Sequence, residues 1–407
     1  MCFNRCMVGF GTAMRPGISV QHSVLPTRRY GLVRCDIAGV IGFIPQSRWP
    51  VDASAGDFVE ITLRRTRELL DHPLARLFDP ASKRAVQCYF ENGGDQCHLF
   101  GVCIQSEEDL RGPTSAQSVL EPLFERLRSE EDIALLAVPG AAWMRCDYRM
   151  GKVSGHADVL YHELLNHCRL MTNRFLVMDA PYGVHGPALA AWLENFREQN
   201  GDNLAYGAVY YPWLLNGDEL IPPSGAMLGV FARTEREHNP FGVVWPPANV
   251  PIQGVTHTEV ELEWQEVGDI TGLGANPIVV QPGRGVVVFG ARTLSRDPRW
   301  EFINSRRIVS LVAEQLRRDN EWVVFEHNNS MIWKVLERDC MARLDEFWNA
   351  GLLTGPSAGK DYSARCDSET NPAFEREMGR LNVQVRVRPI STTEHITIDL
   401  RLGEGEV

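Results

Sequence analysis

The chain has 407 residues, of which 44% are hydrophobic and 23% are charged, and its formal net charge is −11. This composition is typical of a folded protein with a sizeable core, and it argues against disorder as the main state. The negative charge argues against a nucleic-acid binder, because phosphate contacts need clustered Lys and Arg.

Targeting and redox signals are weak along the chain. No apolar run approaches the roughly 18 to 20 residues that span a bilayer, and the first 14 residues lack the pattern of a secretory signal. Ten cysteines are scattered without a CxxC pair. We therefore expect reduced thiols and assembly in the cytoplasm, without direct insertion into a membrane.

The N-terminal segment does not look like part of a core. Pro16 and Gly17 break regular structure, and Ile18, Val20 and Val24 follow among polar residues. We predict an extended strand that has too few apolar residues to fold alone and that lies on a neighbouring subunit.

From residue 38 onward, short apolar runs alternate with amphipathic stretches, which predicts an α/β core with a mixed sheet flanked by helices. The predicted strands are Ala38–Ile44, His98–Ile104, Asp132–Val138, Arg174–Met178, Ala205–Tyr211, Gly285–Phe289 and Trp322–Phe325. The predicted helices are Leu63–Leu70, Ala116–Arg128, His156–Leu170, Ala188–Gln199, Ser305–Arg318 and Met331–Ala350.

The helix predicted over Met331–Ala350 carries two tryptophans on one face, Trp333 and Trp348, which we interpret as core residues. After it, residues 381–388 and 395–402 alternate between apolar and polar side chains, as half-buried strands do. In the last of these strands the apolar row is Ile396, Ile398, Leu400 and Leu402. Alternation alone favours a strand of the domain's own sheet, but it also allows addition to another subunit.

Several motifs suggest catalysis but do not fit their required context. Gly355–Gly359 matches G-x-S-x-G around Ser357, yet a nucleophile elbow needs a strand before it and a helix after it, and here the predicted order is reversed. Lys360 is followed by Asp361, so the loop is not a P-loop. Gly272–Gly274 lacks the third glycine of a dinucleotide motif, and we interpret it as a turn.

A histidine-rich helix is the remaining candidate for a metal site. His162 and His167 are five residues apart, whereas HExxH needs a spacing of four. We therefore predict no catalytic, cofactor or metal role for Ser357, Lys360, His162 and His167. An α/β hydrolase or transferase, with a triad assembled in space, stays open as an alternative.

The second half of the chain resembles the contractile phage tail sheath family. The stretch AYGAVYYPWLL at 205–215 precedes IPPSGAMLGVFARTEREHNPFGVVWPPANVPIQGV at 221–255, and GRGVVVFGARTLSRDPRWEFINSRR follows at 283–307. These are similar to the family's aromatic strand, Pro-Pro-Ser-Gly turn, Pro-Ala-Asn loop and Asn-x-Arg-Arg series. The segment from Tyr89 to Gly94 is similar to its Phe-x-Asn-Gly-Gly turn.

The match also has limits. Little room separates the strands ending at Ile104 and beginning at Asp132, as in the compact sheaths of phage-tail-like bacteriocins and extracellular injection systems. Trp245-Pro246 stands where the family commonly has a basic residue, and residues 1–14 have no counterpart. These departures leave open a baseplate- or cap-associated paralogue of the sheath.

The resemblance implies a structural subunit that polymerises with itself as stacked six-fold rings around an inner tube and contracts. The partners would be the tube, baseplate and cap proteins of a phage tail-like particle. Both termini would be arms that add strands to neighbours, so residues 1–30 and 391–407 are predicted as linker arms. Residues 31–131 would form a small α/β subdomain and residues 132–390 the sheath core.

The same resemblance calls for a surface that holds the inner tube and later releases it. Exposed ion pairs suit such a surface, because each contributes only about 0 to 1 kcal/mol. Our candidates are Glu375, Arg376, Glu377 and Arg380, beside a helix start led by Pro372. An ordinary solvated helix explains these charges equally well. Arg233, Arg292, Asp297 and Arg307 are predicted to be structural.

Overall fold

The structure, a computed structural model, describes residues 31–49, 52–149, 152–238, 240–355 and 361–392. The strands are β1 (Ala38–Pro45), β2 (Phe58–Leu63), β3 (Cys97–Ile104), β4 (Leu135–Ala137), β5 (Cys146–Arg149), β6 (Lys152–Gly155), β7 (Phe175–Asp179), β8 (Gly207–Tyr211), β9 (Leu214–Asn216), β10 (Glu219–Ile221), β11 (Val250–Pro251), β12 (His257–Thr258), β13 (Ala275–Gln281), β14 (Gly285–Val288), β15 (Ser363–Arg365) and β16 (Gln384–Arg386). The helices are α1 (Thr66–Asp71), α2 (Pro80–Glu91), α3 (Pro113–Ser129), α4 (Asp158–Met171), α5 (Gly186–Asn200), α6 (Pro223–Glu237), α7 (Trp264–Gly272), α8 (Ile303–Asp319), α9 (Ser330–Asn349) and α10 (Ala373–Glu377).

Nine strands form one mixed sheet in the order β11-β14-β13-β8-β7-β4-β1-β3-β2. The six strands from β13 to β3 run parallel, while β2 and β14 are antiparallel to their neighbours. Strands β3, β7 and β8 are buried along their full length, and β1 along most of it, because helices cover both faces. The predicted α/β class with a mixed sheet is confirmed.

Each face of the sheet has its own hydrophobic core. On one face, α3, α4 and α5 pack on alternate strand residues such as Ile41 and Phe100. On the other face, α2 and α6 pack on the intervening residues, such as Val40 and Leu99. A third core lies between α8, α9 and the β15–β16 ribbon, where Trp333 is 8% exposed. The interpretation of Trp333 as a core residue is confirmed.

Helix α6 begins at the predicted Pro-Pro-Ser-Gly turn. Its start is fixed by Asp179 at the carboxyl end of β7, whose carboxylate accepts hydrogen bonds from the amide (2.5 Å) and hydroxyl (2.6 Å) of Ser224. Burial raises the pKa of Asp179 to about 7. This turn therefore ties the central sheet to one of its covering helices.

Three predicted elements were wrong in part. The run Trp322–Phe325 is not a strand: Glu321–Val323 form a 3-10 turn, and Phe325 is fully exposed with a φ of 73°. A short apolar run in a connection cannot be told from a strand by periodicity. Leu63 ends β2 and α1 begins only at Thr66, and the strand predicted over Asp132–Val138 is confined to Leu135–Ala137.

The sheet crosses the predicted boundary at residue 131. Strand β1 pairs with β3 on one side and with β4 on the other, so residues 31–131 and residues that follow share one sheet. The division of the chain into a subdomain and a sheath core stays a prediction. None of the helices in the described ranges has the length and apolar character needed to cross a bilayer.

Candidate assembly surfaces

The residues predicted to form the inter-subunit arms lie outside the described ranges. They are Pro16, Gly17, Ile18 and Val20 at the N-terminal end and Ile396, Ile398, Leu400 and Leu402 at the C-terminal end. The structure describes the segments next to the two predicted arms, which we call the N-terminal and C-terminal arm roots (residues 31–36 and 388–392).

The N-terminal arm root is held by a buried glutamine of α8. The side chain of Gln315 is 0% exposed, and its Oε1 accepts a hydrogen bond from the amide of Val33 at 2.9 Å. Its Nε2 donates to the carbonyl of Gly31 at 3.4 Å. A buried amide that is satisfied by main-chain groups fixes the path of the segment it holds.

The C-terminal arm root is held by the first turn of the same helix. The Ser305 hydroxyl donates to the carbonyl of Ile390 at 3.2 Å, and the Thr392 hydroxyl donates to Asn304 Oδ1 at 2.8 Å. The amide of Ile390 also donates to the carbonyl of Leu352 at 2.9 Å. Helix α8 therefore anchors both arm roots.

A buried ion pair adds a third connection between α8 and the N-terminal arm root. Arg307 donates to the carbonyl of Cys35 at 2.7 Å and pairs with Glu235 of α6, and its guanidinium lies 5.0 Å from the ring centre of Phe231. Breaking such a pair is costly because it leaves one charge buried alone. The predicted structural role of Arg307 fits these contacts.

The other arginines predicted to be structural also contact loops. Arg233 donates to the carbonyl of Pro251 at 2.5 Å, and Arg292 pairs with Glu301 at 2.5 Å. Asp297 caps its own loop by accepting from the amide of Arg299 at 2.9 Å.

Beside the arm roots lies a two-stranded ribbon. The outer edge of β15 is covered, because the amides of Ala364 and Cys366 donate to side chains of α9, so the edge that is open to another strand is that of β16. Strand β15 pairs with β16, and in the described ranges neither strand has another strand beside it. Val383, Val385 and Val387 are half-buried and line a groove of about 810 Å³ between α8, α9 and the ribbon. An unpaired edge next to an apolar groove has the features of a site for an added strand.

Large apolar side chains project from the surface near one end of this groove. They are Val324, Phe325, Met331, Phe374 and Met378, with exposed fractions from 56% to 103%. A cluster of this kind is typical of a protein–protein contact surface.

The candidate tube-facing residues lie on and after the short helix α10. Arg376, Glu377 and Arg380 are exposed, Glu375 is half-buried, and Glu375 pairs with Arg380 at 3.8 Å. The guanidinium of Arg376 lies 5.8 Å from the ring centre of Trp333. Phe374 and Met378 belong to the same surface, so it is more apolar than the sequence predicted.

The two histidines of α4 that suggested a metal site have hydrogen-bond partners within the protein. His167 Nε2 accepts a hydrogen bond from Arg174 at 2.7 Å, and His162 Nδ1 lies 2.9 Å from Asn200 Oδ1. In the described ranges, no group of three or more His, Cys, Asp and Glu side chains is arranged to hold a metal ion. Ser357 and Lys360 lie outside these ranges, but α9 precedes them and β15 follows, the reverse of a nucleophile elbow.

Comparison with known proteins agrees with this geometry. Residues 295–403 match the phage tail sheath C-terminal domain. The chain is similar to a prophage major tail sheath protein of Pseudomonas aeruginosa (strain UCBPP-PA14), with 25% identity over 224 residues, 54% of this chain and 55% of that protein. The chain thus spans about half the length of this curated relative.

Two solved structures share the fold over nearly the whole chain. The contracted helical sheath of the anti-feeding prophage has a TM-score of 0.69 at 23% identity, covering 96% of this chain and 99% of that chain. The contracted sheath complex of the extracellular contractile injection system PVC has a TM-score of 0.69 at 20% identity, covering 97% and 99%. Both are structures of contracted sheaths, and the likeness shows that this chain shares their fold.

Proposed function

Because the chain has the fold of contractile sheath proteins and carries a tail sheath C-terminal domain, we propose that it is a sheath subunit of a contractile injection system. The observation that carries this proposal is the joint anchoring of both arm roots on α8, next to an open ribbon. A subunit that has two extended arms and an open strand edge can bind copies of itself head to tail, and such a contact repeats along a polymer.

The acceptor would be the β15–β16 ribbon. A two-stranded ribbon is marginally stable by itself, so it gains from a third or fourth strand. An incoming strand would supply main-chain hydrogen bonds, and its alternate apolar side chains would enter the groove beside Val385. The alternating row from Ile396 to Leu402 of a second copy has the spacing for this, because every second side chain faces the same side.

The rigid part of the subunit is its nine-stranded sheet with a packed core on each face. We infer that six-fold rings of these cores stack around an inner tube and that the arms are hinged tethers between rings. Contraction would then exchange one packing of the cores for another without nucleotide, releasing free energy stored at assembly. Tube, baseplate and cap proteins would be the other partners, and α10 would face the tube.

A pair of matched variants tests the arm. Ile398→Asn with Leu400→Asn removes the apolar row of the C-terminal strand, and Thr397→Asn with Asp399→Asn changes the opposite row to the same extent. We expect the first variant to remain a folded subunit that no longer sediments as polymer, and the second to polymerise like the wild type.

The contradicting results are equally specific. Normal polymerisation of the first variant would refute strand addition by the C-terminal arm. Loss of polymer in both variants would show that both rows are needed for polymerisation. It would contradict the proposed register, in which the apolar row alone enters the groove.

A further inference from the structure

A second cleft, which shares no lining residue with the groove beside the ribbon, is rich in arginine. It has a volume of about 550 Å³ and lies between the end of α5, residues 201–206 and the loop 295–300. Five arginines line it: Arg169, Arg197, Arg296, Arg299 and Arg306. Four acidic residues line it as well: Glu194, Glu198, Asp202 and Asp297.

Arg306 differs from the other arginines of this cleft. It is 6% exposed, and its guanidinium lies between two aromatic rings, 4.6 Å from the centre of Tyr206 and 4.3 Å from that of Trp300. Its Nε is buried without a hydrogen-bond partner, and no hydrogen bond or ion pair of its guanidinium is found within the described ranges. A buried cation of this kind is unusual, because buried charges are ordinarily paired.

Each of the other four has a partner. Arg197 donates to the carbonyl of Leu294 at 3.1 Å, and Arg169 donates to Asn203 Oδ1 at 3.3 Å. Arg296 pairs with Glu194, and Arg299 pairs with Asp297 at 2.6 Å. Arg306 is therefore the arginine of this cleft for which the described ranges provide no hydrogen-bond or ion-pair partner.

The balance of charge indicates what the cleft accepts. Five arginines and four carboxylates give the cleft a net charge of +1. A single carboxylate neutralises this charge, whereas a phosphate dianion would make the net charge negative. Both rings contact the guanidinium, and a planar carboxylate matches a guanidinium edge with two parallel hydrogen bonds.

We propose that this cleft is a carboxylate-binding site and that Arg306 is its receptor. The carboxylate is carried by an acidic side chain of a second copy of the chain, a part of the proposal that rests on the proposed function. Subunits of net charge −11 repel one another. An unpaired arginine that binds a carboxylate of the neighbouring subunit offsets that repulsion at the contact. It also fixes how the two subunits are aligned.

Two substitutions separate this role from a structural one. Arg306→Met keeps the aliphatic contact with both rings and removes the unpaired charge. Arg299→Met removes the same charge from the same cleft, but at a guanidinium that is already paired. In the isolated subunit, we expect the melting temperature of Arg306→Met to be equal to that of the wild type or higher, because no hydrogen bond is lost.

In assembly, we expect Arg306→Met to raise the subunit concentration needed for polymerisation by at least about tenfold, as for loss of one charged pair at an interface. Arg299→Met should polymerise at the wild-type concentration. Unchanged polymerisation of Arg306→Met would overturn the proposal, and so would a marked fall of its melting temperature, which would make Arg306 a structural residue.

A direct binding measurement does not depend on polymerisation. The probe is N-acetyl-glutamate methylamide, and its neutral control is the corresponding glutamine compound, each added to subunits with ¹⁵N-labelled arginine. We expect the Arg306 Nε–H resonance, identified by its loss in Arg306→Met, to shift saturably with the glutamate compound alone. No shift, or equal shifts with both compounds, would overturn the carboxylate site even if the chain forms tubes. A wild type that shows the shift but forms no tubes would instead count against the proposed function.

Discussion

At the residue scale, the buried polar side chains have structural partners that sequence spacing could not identify. The spacing of His162 and His167 disfavours a zinc site. It gave no sign that His167 is the acceptor for Arg174, whose guanidinium also donates to the carbonyl of Glu130 at 2.6 Å. Arg174 thereby closes the end of α3, a contact that depends on how α3, α4 and β7 pack.

The state of His167 leads to a prediction on pH. Burial, and then the charge of Arg174, lower the pKa of His167 from 6.5 to about 3, while Phe124 stacks on its ring at 4.7 Å. The unfolded chain therefore takes up a proton first as the pH falls. The stabilisation by neutral His167 is complete above pH 6.5 and is lost as the pH falls toward 3.

His167→Gln keeps an acceptor for Arg174 but cannot take up a proton. Between pH 7 and pH 5, the free energy of unfolding of the wild type should fall by about 2 kcal/mol relative to that of the variant. Urea unfolding of both proteins at the two pH values measures this difference. Equal pH dependence would show that folding does not lower the pKa of His167.

At the element scale, the long helices and buried strands follow from the sequence. The apolar periodicity of residues 303–319 and 330–349 is strong because both helices bury one face in the third core. Helix α2 was not predicted, and neither were β2 and β13. Among the described strands, the antiparallel edge strand β2 pairs with β3 alone, and its half-buried positions leave a weak pattern.

The contact between α2 and α6 depends on glycine, which periodicity does not reveal. A Cβ on Gly225 would lie 2.3 Å from Ala85 Cα, and one on Gly229 would lie 2.4 Å from the carbonyl oxygen of Tyr89. The two helix backbones can approach only because both side chains are absent. A Cβ on Gly268 of α7, in contrast, meets nothing within 4 Å.

Gly229→Ala should therefore lower the free energy of unfolding by about 2 kcal/mol or more, the range found for overpacked cores. The matched variant Gly268→Ala should raise it by up to about 1 kcal/mol, since alanine is the better helix former. Chemical denaturation of both variants gives the two values. Similar effects of the two substitutions would contradict the close packing of α2 on α6.

At the scale of the whole molecule, the sequence predicted the fold class, but not the anchoring of both arm roots on α8. Short apolar runs and ordered motifs are local signals, so they could be read from the sequence. The anchoring of residues 31–33 and 390–392 on one helix joins segments more than 280 and 80 positions apart. No local sequence pattern indicates contacts between segments so far apart.

The proposal that α10 faces the inner tube leads to a prediction at this scale. Glu375→Lys with Glu377→Lys reverses two charges on α10, and Glu125→Lys with Glu261→Lys changes the net charge equally at exposed sites elsewhere. We expect only the α10 variant to co-sediment less with the inner tube protein, while both still form sheath polymers. Unchanged tube binding by the α10 variant would place the tube-facing surface elsewhere.

The central claim is that the full chain polymerises with itself into a tube of stacked rings. Electron microscopy of the purified chain, with helical reconstruction, tests it most directly. We expect long tubes of six-fold rings in which the β15–β16 ribbon of each subunit is extended by strands of its neighbours. Isolated single rings would indicate a baseplate or cap component, and a chain that stays monomeric at high concentration would contradict the claim.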